Sequence, residues 1–245
     1  MTFFKNFSKI LIALSLAISV THADERPPAA TTARTIALGG SVTALGDDAS
    51  TSFWNPSGVA RLQRTEIAWS YADRYGLGLK ANYGSFVFPI FESQALGIDF
   101  LRESFDDTEL GDAFQIMNAT YGIRLHPTLS LGLSGKLVTH TVDLNGANLR
   151  NAKGFGFDLG LLYTPKFKPF DKLRLGLTLQ DVRGTNVRDD NSQREEKIFE
   201  QRLRFGAAYQ AHQDVLLTLD VDDRFYTGVE YQPTSIVALR GGLNY

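Results

Sequence analysis

The sequence predicts an all-β protein, a transmembrane antiparallel β-barrel of the outer membrane with an N-terminal hatch or plug segment. Three observations predict it. The chain begins with an apolar leader, it then alternates between apolar and polar residues over long runs, and its longest polar connections fall on one side of those runs. An export signal, bilayer-length strands and unequal loops are together typical of bacterial outer-membrane barrels.

Residues 1–23 have the pattern of a secretory signal peptide. Lys5 and Lys9 make the start positive, an apolar core follows from 10 to 20, and Ala23 is a small residue suited to cleavage. The core is too short to span a bilayer as a helix, which argues against a transmembrane anchor. We expect an exported chain whose residues 24–34 are a linker.

Eleven runs after Leu62 alternate with a period of two, which predicts half-buried strands within a domain at 63–245. Most runs have ten or more residues. Strands of soluble proteins have about five or six, whereas a tilted strand needs about 9–11 to cross a bilayer. Run length therefore favours a membrane barrel over a soluble β-sandwich, which stays the alternative. The runs are 65–73, 77–90, 93–104, 113–125, 129–144, 152–164, 172–182, 197–211, 214–223, 225–234 and 236–245.

The connections between the runs differ in length on the two sides. The three longest polar connections, at 102–112, 145–151 and 183–197, follow the third, fifth and seventh runs and so share a side. Outer-membrane barrels have long outer loops and short periplasmic turns. We therefore expect the N-terminal segment on the periplasmic side.

Residues 35–62 have the period of neither a helix nor a strand. A barrel of this many strands has a lumen wider than its own side chains fill, so this small-residue segment is a candidate hatch or plug. Glycines permit tight turns, aspartate and serine cap turns, Asn-Pro begins a turn, and aromatic rings add bulk. An ordinary periplasmic tail or first strand is the alternative. The predicted hatch residues are Gly39, Gly40, Asp47, Asp48, Ser50, Phe53, Trp54, Asn55 and Pro56.

Charged residues on the polar phase of the strands are predicted to face the lumen. They carry both signs, which suits ion pairs between the barrel wall and the plug. His140 shares that phase and is the sole candidate catalytic base; a structural role is the favoured interpretation, and we expect no enzyme. The predicted lumen-facing charges are Lys136, Asp158, Arg174, Arg202, Arg204 and Asp220.

The composition limits cofactors and partners. The net charge of −2 gives no reason to expect nucleic acid as a partner. The chain has no Cys and four His, with no zinc spacing, P-loop or dinucleotide fingerprint, so no cofactor and no metal are expected. The mean hydropathy of −0.13 fits a soluble protein, and it equally fits a barrel, whose alternating residues cancel in an average.

The stretch ARTIALGGSVTALGDDASTSFWNPSGVARL, residues 33–62, resembles the N-terminal signature of the FadL-like outer-membrane barrels. This group includes long-chain fatty acid transporters and the PorV/PorQ-type barrels of type IX secretion. The resemblance rests on Ala37 to Gly40, Asp47 to Ser50 and Asn55 to Ser57. It implies a hatch folded in from the periplasm and a barrel of fourteen strands, so either three strands are absent from this chain or a run is miscounted. An open sheet edge in lipid would need a second chain to complete it.

The resemblance implies an outer-membrane transporter or channel for small hydrophobic molecules such as long-chain fatty acids. Its partners would be membrane lipid and a hydrophobic ligand. The Trp54-Asn55-Pro56 sequence favours an alternative, a secretion or envelope-assembly partner of the PorV kind that binds other envelope proteins. A soluble periplasmic β protein is the third hypothesis.

Overall fold

The computed structural model describes residues 31–74, 78–106 and 110–245. These comprise two short helices, one 3₁₀ helix and thirteen β-strands in a single sheet. The helices are α1 (Ala33–Ala37) and α2 (Thr51–Trp54), and the 3₁₀ helix is Pro56–Arg61. The predicted signal peptide lies outside the described residues, as do residues 24–30 of the predicted linker.

Eleven strands form one continuous antiparallel path, in the order β1 to β7 and then β10 to β13. They correspond in order to the eleven predicted runs, and no pairing joins β1 to β13 among the described residues. The fourteen strands implied by the resemblance are not reached in this part of the chain. The strands are β1 Glu66–Arg74, β2 Leu79–Phe91, β3 Gln94–Asp106, β4 Leu110–His126, β5 Leu129–Leu144, β6 Ala147–Tyr163, β7 Leu173–Gln180, β8 Thr185–Asp189, β9 Glu195–Phe199, β10 Arg202–His212, β11 Val215–Val221, β12 Phe225–Thr234 and β13 Val237–Asn244.

The two faces of the sheet differ in polarity. Large apolar side chains point outward, and Trp69, Leu137 and Phe205 are 79%, 56% and 56% exposed. The opposite face buries polar groups such as Asp99 and Asp158. A soluble sheet would bury the apolar face; apolar outside and polar inside is the arrangement that lipid requires of a barrel. The soluble alternative is therefore not supported. No helix in the described ranges has the length and apolar character needed to cross a membrane.

Two predicted long loops are wrong. β3 and β4 extend across most of 102–112, which leaves only residues 107–109 between them. β5 and β6 are joined by Asn145 and Gly146, both with positive φ, at 51° and 77°. That conformation makes a tight hairpin turn between twisted strands, so the ladder continues where polar composition suggested a loop. We call the end of the sheet where β5 joins β6 the upper end, and the end where β2 joins β3 the lower end.

The third predicted loop, 183–197, contains strand β8 and the start of β9, which form a hairpin. β8 pairs with β6 through Gly154 and Val187, and Val187 is buried inside the sheet. Hydrogen bonding to an otherwise unpaired stretch of β6 orders this charged segment. The eighth predicted run therefore begins too early, because β10 starts at Arg202.

Candidate functional site

Residues 31–62, the inner segment, lie against the inner face of the sheet, where residues 55–60 meet β4, β5 and β6 near their lower ends. The approach is close enough to require glycine on the strands. A methyl group added to Gly132 would lie 2.2 Å from the carbonyl carbon of Pro56, and one added to Gly160 would lie 2.1 Å from Asn55 Oδ1. Side chains at these wall positions would prevent the segment from seating.

The inner segment begins earlier than predicted. Thr31 is fully buried, and α1 starts at Ala33, inside the predicted linker. Thr32 caps this helix, its side chain accepting a hydrogen bond of 3.2 Å from Thr35 N. The Thr-based cap in TTAR is the sequence signal for this boundary.

Asn55 holds the centre of the inner segment and is fully buried. Its Nδ2 donates to the carbonyl oxygens of Thr43 at 2.8 Å and Leu161 at 3.3 Å. Its Oδ1 accepts from the backbone N of Ser57 at 3.1 Å and from the Ser57 hydroxyl at 2.7 Å. Asn55 therefore caps the 3₁₀ helix, which Pro56 begins, and ties the segment to β6.

Asp47 and Asp48 form ion pairs with Arg34, which the sequence analysis did not predict as a site residue. Arg34 Nη1 donates to Asp47 Oδ1 and to Asp48 Oδ2, both at 2.7 Å, and Arg34 Nε donates to Glu230 on β12 at 2.9 Å. Arg174 on β7 also reaches Asp47, at 3.2 Å. Burial alone would raise the pKa of Asp47, but Arg34 and Arg174 lower it below its ordinary value.

Asp220 and Arg204 bind the backbone of the inner segment. Asp220 Oδ2 accepts from the backbone N of Val42 at 3.0 Å and of Thr43 at 2.9 Å. Arg204 Nη1 donates to Gly40 O at 3.5 Å, and Arg204 Nη2 pairs with Asp222 Oδ2 at 2.7 Å. The wall thus supplies a carboxylate for backbone donors and a guanidinium for a backbone acceptor.

The remaining predicted hatch residues form turns or pack their rings against neighbouring side chains. Gly39 and Gly40 have φ of 65° and 84°, which turn the chain after α1. Asp48 Oδ1 accepts from Ser50 N at 2.9 Å, whereas Ser50 makes no side-chain cap of α2. The Phe53 ring packs edge-on against Trp54 at 5.6 Å and against Tyr83 of the wall at 5.9 Å.

Three of the predicted lumen charges do not reach the inner segment. Lys136 pairs with Asp158 and with Asp181, both at 3.0 Å, in buried surroundings. Asp181 begins the connection that leads into the β8–β9 hairpin, so this cluster fixes the hairpin to the wall. Arg202 lies 3.9 Å from Asp222. His140 bonds Asp112 at 2.9 Å, which fits the structural role favoured for it.

A pocket opens on the inner face near the upper end, where β2 begins and β3 ends. Its volume is about 240 Å³. Half of its lining is apolar and half is polar: Leu79, Ala81, Phe105 and Phe114 on the one hand, and Lys80, Glu103, Ser104 and Asp112 on the other. Phe114 also packs on a buried apolar cluster that includes Leu101 and Ile116. The pocket therefore adjoins the apolar interior that lies above the inner segment.

Sequence reasoning missed several groups that contact the inner segment. Asp99 on β3 accepts a 2.5 Å hydrogen bond from Ser52 in α2. Arg34 fell within the predicted linker, and Glu230 stands on the polar phase of its strand like the charges that were named. The recurrent glycine on the polar phase of β5, β6 and β7 was the available signal, because glycine there marks a close backbone approach.

Comparison with solved structures finds hydrocarbon channels and transporters. The CymD monoaromatic hydrocarbon channel matches with a TM-score of 0.62 and 14% identity, over 86% of this chain and 82% of that chain. The toluene transporter TodX of Pseudomonas putida matches with 0.59 and 13%, over 92% and 85%. A FadL homologue of Pseudomonas aeruginosa matches with 0.55 and 12%, over 86% and 79%. No protein-family model matches the chain, and no curated protein does. At these identities the likeness establishes the fold alone, which this chain shares with these three proteins.

Proposed function

We propose that this chain is an outer-membrane channel for small hydrophobic molecules, with residues 31–62 as its hatch. The pocket of about 240 Å³ at the upper end carries the proposal. A cavity of about 150 Å³ is large enough to bind benzene, so the volume of this pocket has room for a substituted aromatic ring beside its apolar side chains Leu79, Phe105 and Phe114. The structural neighbours named for monoaromatic hydrocarbons and toluene support this size class.

Apolar side chains line the way inward from the pocket, and the inner segment then closes it. Phe114 joins the pocket to the cluster of Tyr83, Leu101 and Ile116, and Phe53 of α2 packs against the same cluster from below. A hydrophobic ligand would gain by leaving water for this interior. Passage then requires the inner segment to move, and its anchors are hydrogen bonds and ion pairs that can break and re-form.

Uptake of radiolabelled toluene tests this proposal. Cells that carry the chain in their outer membrane should take up toluene faster than cells without it, with glucose uptake unchanged. Phe114→Trp fills the pocket and should slow the uptake. Phe100→Trp is the matched control, because Phe100 stands on the outward phase of β3 and is 37% exposed. Equal toluene uptake with and without the chain would refute the proposed function.

The proposal also covers the export of the chain and the side of the membrane from which the inner segment enters. Residues 1–23 would direct secretion, and the inner segment would enter from the periplasm. The secretion-partner alternative rests on the Trp54-Asn55-Pro56 resemblance and stays a prediction. Copurification of a stoichiometric envelope protein, with no effect of the chain on toluene uptake, would favour it.

A further inference from the structure

The β8–β9 hairpin lies over the inner face of β6, above the inner segment. Gly154 and Gly156 share the phase of Gly160, which contacts the inner segment, but they stand nearer the upper end of the strand. A methyl group added to Gly154 would lie 2.1 Å from the carbonyl oxygen of Asn186, and one added to Gly156 would lie 2.1 Å from Thr185 Oγ1. Because side chains of this phase point inward, β8 crosses the lumen side of the wall.

Apolar side chains of the hairpin fill the space between the pocket and the inner segment. Val187 of β8 belongs to the buried apolar cluster beside the pocket, and Ile198 and Phe199 of β9 pack against that cluster. The Phe199 ring meets the ring of Phe114, one wall of the pocket, edge-on with centroids 5.7 Å apart. Phe53 of the inner segment packs on the same cluster. The hairpin therefore closes the path from the pocket to the inner segment.

The base of the hairpin is fixed by buried polar contacts. Asp181 Oδ1 accepts from Thr185 Oγ1 at 2.6 Å and from Lys136 Nζ of β5 at 3.0 Å. The backbone N of Arg183 donates to Gln201 Oε1 at 3.0 Å, which joins the two chain ends of the hairpin. Asp181, Thr185 and Lys136 are all buried, so breaking this base would leave charges without partners in the interior.

The tip of the hairpin is held by contacts that water can replace. β8 joins β6 through three residue pairs. Ion pairs join Lys153 to Asp190 at 3.0 Å and Arg150 to Glu196 at 2.8 Å, and their carboxylates are more than half exposed. Exposed ion pairs contribute little to stability. A hairpin with a fixed base and a weakly held tip can swing about its base while the rest of the sheet stays intact.

We infer that the β8–β9 hairpin is a lid that closes the lumen above the inner segment, and that Phe199 is the side chain that blocks the path from the pocket. The inference rests on the proposed function and adds an upper gate to it. Opening of the lid breaks the pairing of β8 with β6 and separates the rings of Phe199 and Phe114. A ligand then passes the lid before it reaches the inner segment.

A removable cross-link between the lid and the wall tests this inference. Lys153 on β6 stands opposite Arg188 on β8, and opposite Thr139 on β5 on its other side. Opposite residues have Cα atoms about 4.5–5.5 Å apart, within the range of a disulfide. In cells that carry Lys153→Cys with Arg188→Cys, oxidation should block toluene uptake and reduction should restore it. Lys153→Cys with Thr139→Cys is the matched control, because it joins two strands of the continuous wall and should leave uptake unchanged.

Removal of the blocking ring gives a second test with the opposite sign. Phe199→Ala should speed toluene uptake by about two- to tenfold, the effect of one lost aromatic pair on the population of the open lid. Phe155→Ala is its matched control. Phe155 is 50% exposed on the outward phase of β6 and also packs edge-on against an aromatic neighbour, Phe157, so the variant loses a similar pair outside the lumen.

The outcomes separate this inference from the proposed function. Loss of toluene uptake confined to the oxidised Lys153→Cys, Arg188→Cys protein supports the lid. Full uptake by that protein when it is completely cross-linked overturns the inference and leaves the proposed function standing. Equal loss in both cross-linked proteins also overturns it, as does unchanged uptake in Phe199→Ala. Absence of toluene uptake by the wild type overturns the proposed function itself, and the lid with it.

Discussion

Replacing Asn55 with leucine should free the inner segment from the wall. The Asn55 amide makes four hydrogen bonds, two to Ser57 and one each to the carbonyl oxygens of Thr43 and Leu161. Only the bond to Leu161 joins the inner segment to the wall, because Thr43 and Ser57 belong to the segment itself. At a net value of about 0.5–1.5 kcal/mol, the loss of this bond multiplies the population of the released segment by about two- to twelvefold, and the three other bonds support the fold of the segment.

Hydrogen exchange measures this release directly. Amides of residues 41–62 should lose protection in Asn55→Leu, while the strand amides of β4 and β5 keep theirs, because the sheet ladder does not involve Asn55. Conductance across a planar bilayer should rise in parallel. Asn148→Leu is the matched control, since Asn148 is exposed on β6 and bonds Asp143 and Asn191, outside the inner segment, so its loss should leave the protection of residues 41–62 unchanged.

Unchanged protection of residues 41–62 in Asn55→Leu would refute this reasoning, provided that the protein still migrates as a folded barrel before heating. It would mean that packing against the wall, and not the Asn55 amide, holds the segment in place.

Three further predictions concern the wall and the charges. Gly132→Ala should unseat the inner segment and lower the unfolding temperature, whereas Gly84→Ala, with nothing within 4 Å of the added methyl, should leave it unchanged; equal unfolding temperatures would contradict the close approach. Because its folded-state pKa is lowered, the Asp47 carboxylate stabilises the segment above its ordinary pKa of about 3.9 and loses this effect as the pH falls through the lower folded value. Conductance should therefore stay constant from pH 8 to pH 5 and rise only in stronger acid, and a rise near neutral pH would exclude Asp47 as the group responsible. Lys136→Met leaves buried carboxylates without a counter-charge and should lower the free energy of unfolding by denaturant by about 3–5 kcal/mol. The double variant Lys136→Met with Asp158→Leu should recover part of this free energy. Equal losses in the single and double variants would show that the two residues are not coupled.

The strands were predictable because successive side chains face opposite sides of the sheet, which gives the sequence an alternation with a period of two. The run from Leu173 to Leu179 predicts β7 within a residue or two, since lipid on one side and a polar interior on the other leave a strong alternation. The hairpin β8–β9 was not predictable in the same way. Its buried residues are Thr185 and Val187, which alternate with polar and charged residues, and the partner of Val187, Gly154, lies more than thirty positions earlier.

The inner segment was predictable as a unit but not in its contacts. Its lack of period and its turn residues mark it, yet the partners of Asp47 and Asn55 come from strands more than a hundred residues away, such as Arg174 and Leu161. Phase along a strand predicts which side chains face inward. It does not predict which partner each side chain meets: Lys136 pairs with Asp181 in the connection before the β8–β9 hairpin, whereas Arg204 bonds the inner segment.

A removable cross-link between the inner segment and the wall tests most directly whether the segment is the gate. The hydroxyl oxygens of Ser52 and Ser85 lie 3.2 Å apart, and the chain contains no cysteine, so Ser52→Cys with Ser85→Cys introduces a single disulfide. Oxidation should block toluene uptake, and reduction should restore it, while Ser52→Cys alone should respond to neither treatment. Unchanged toluene uptake by the oxidised, fully cross-linked protein would contradict a gating role for residues 31–62.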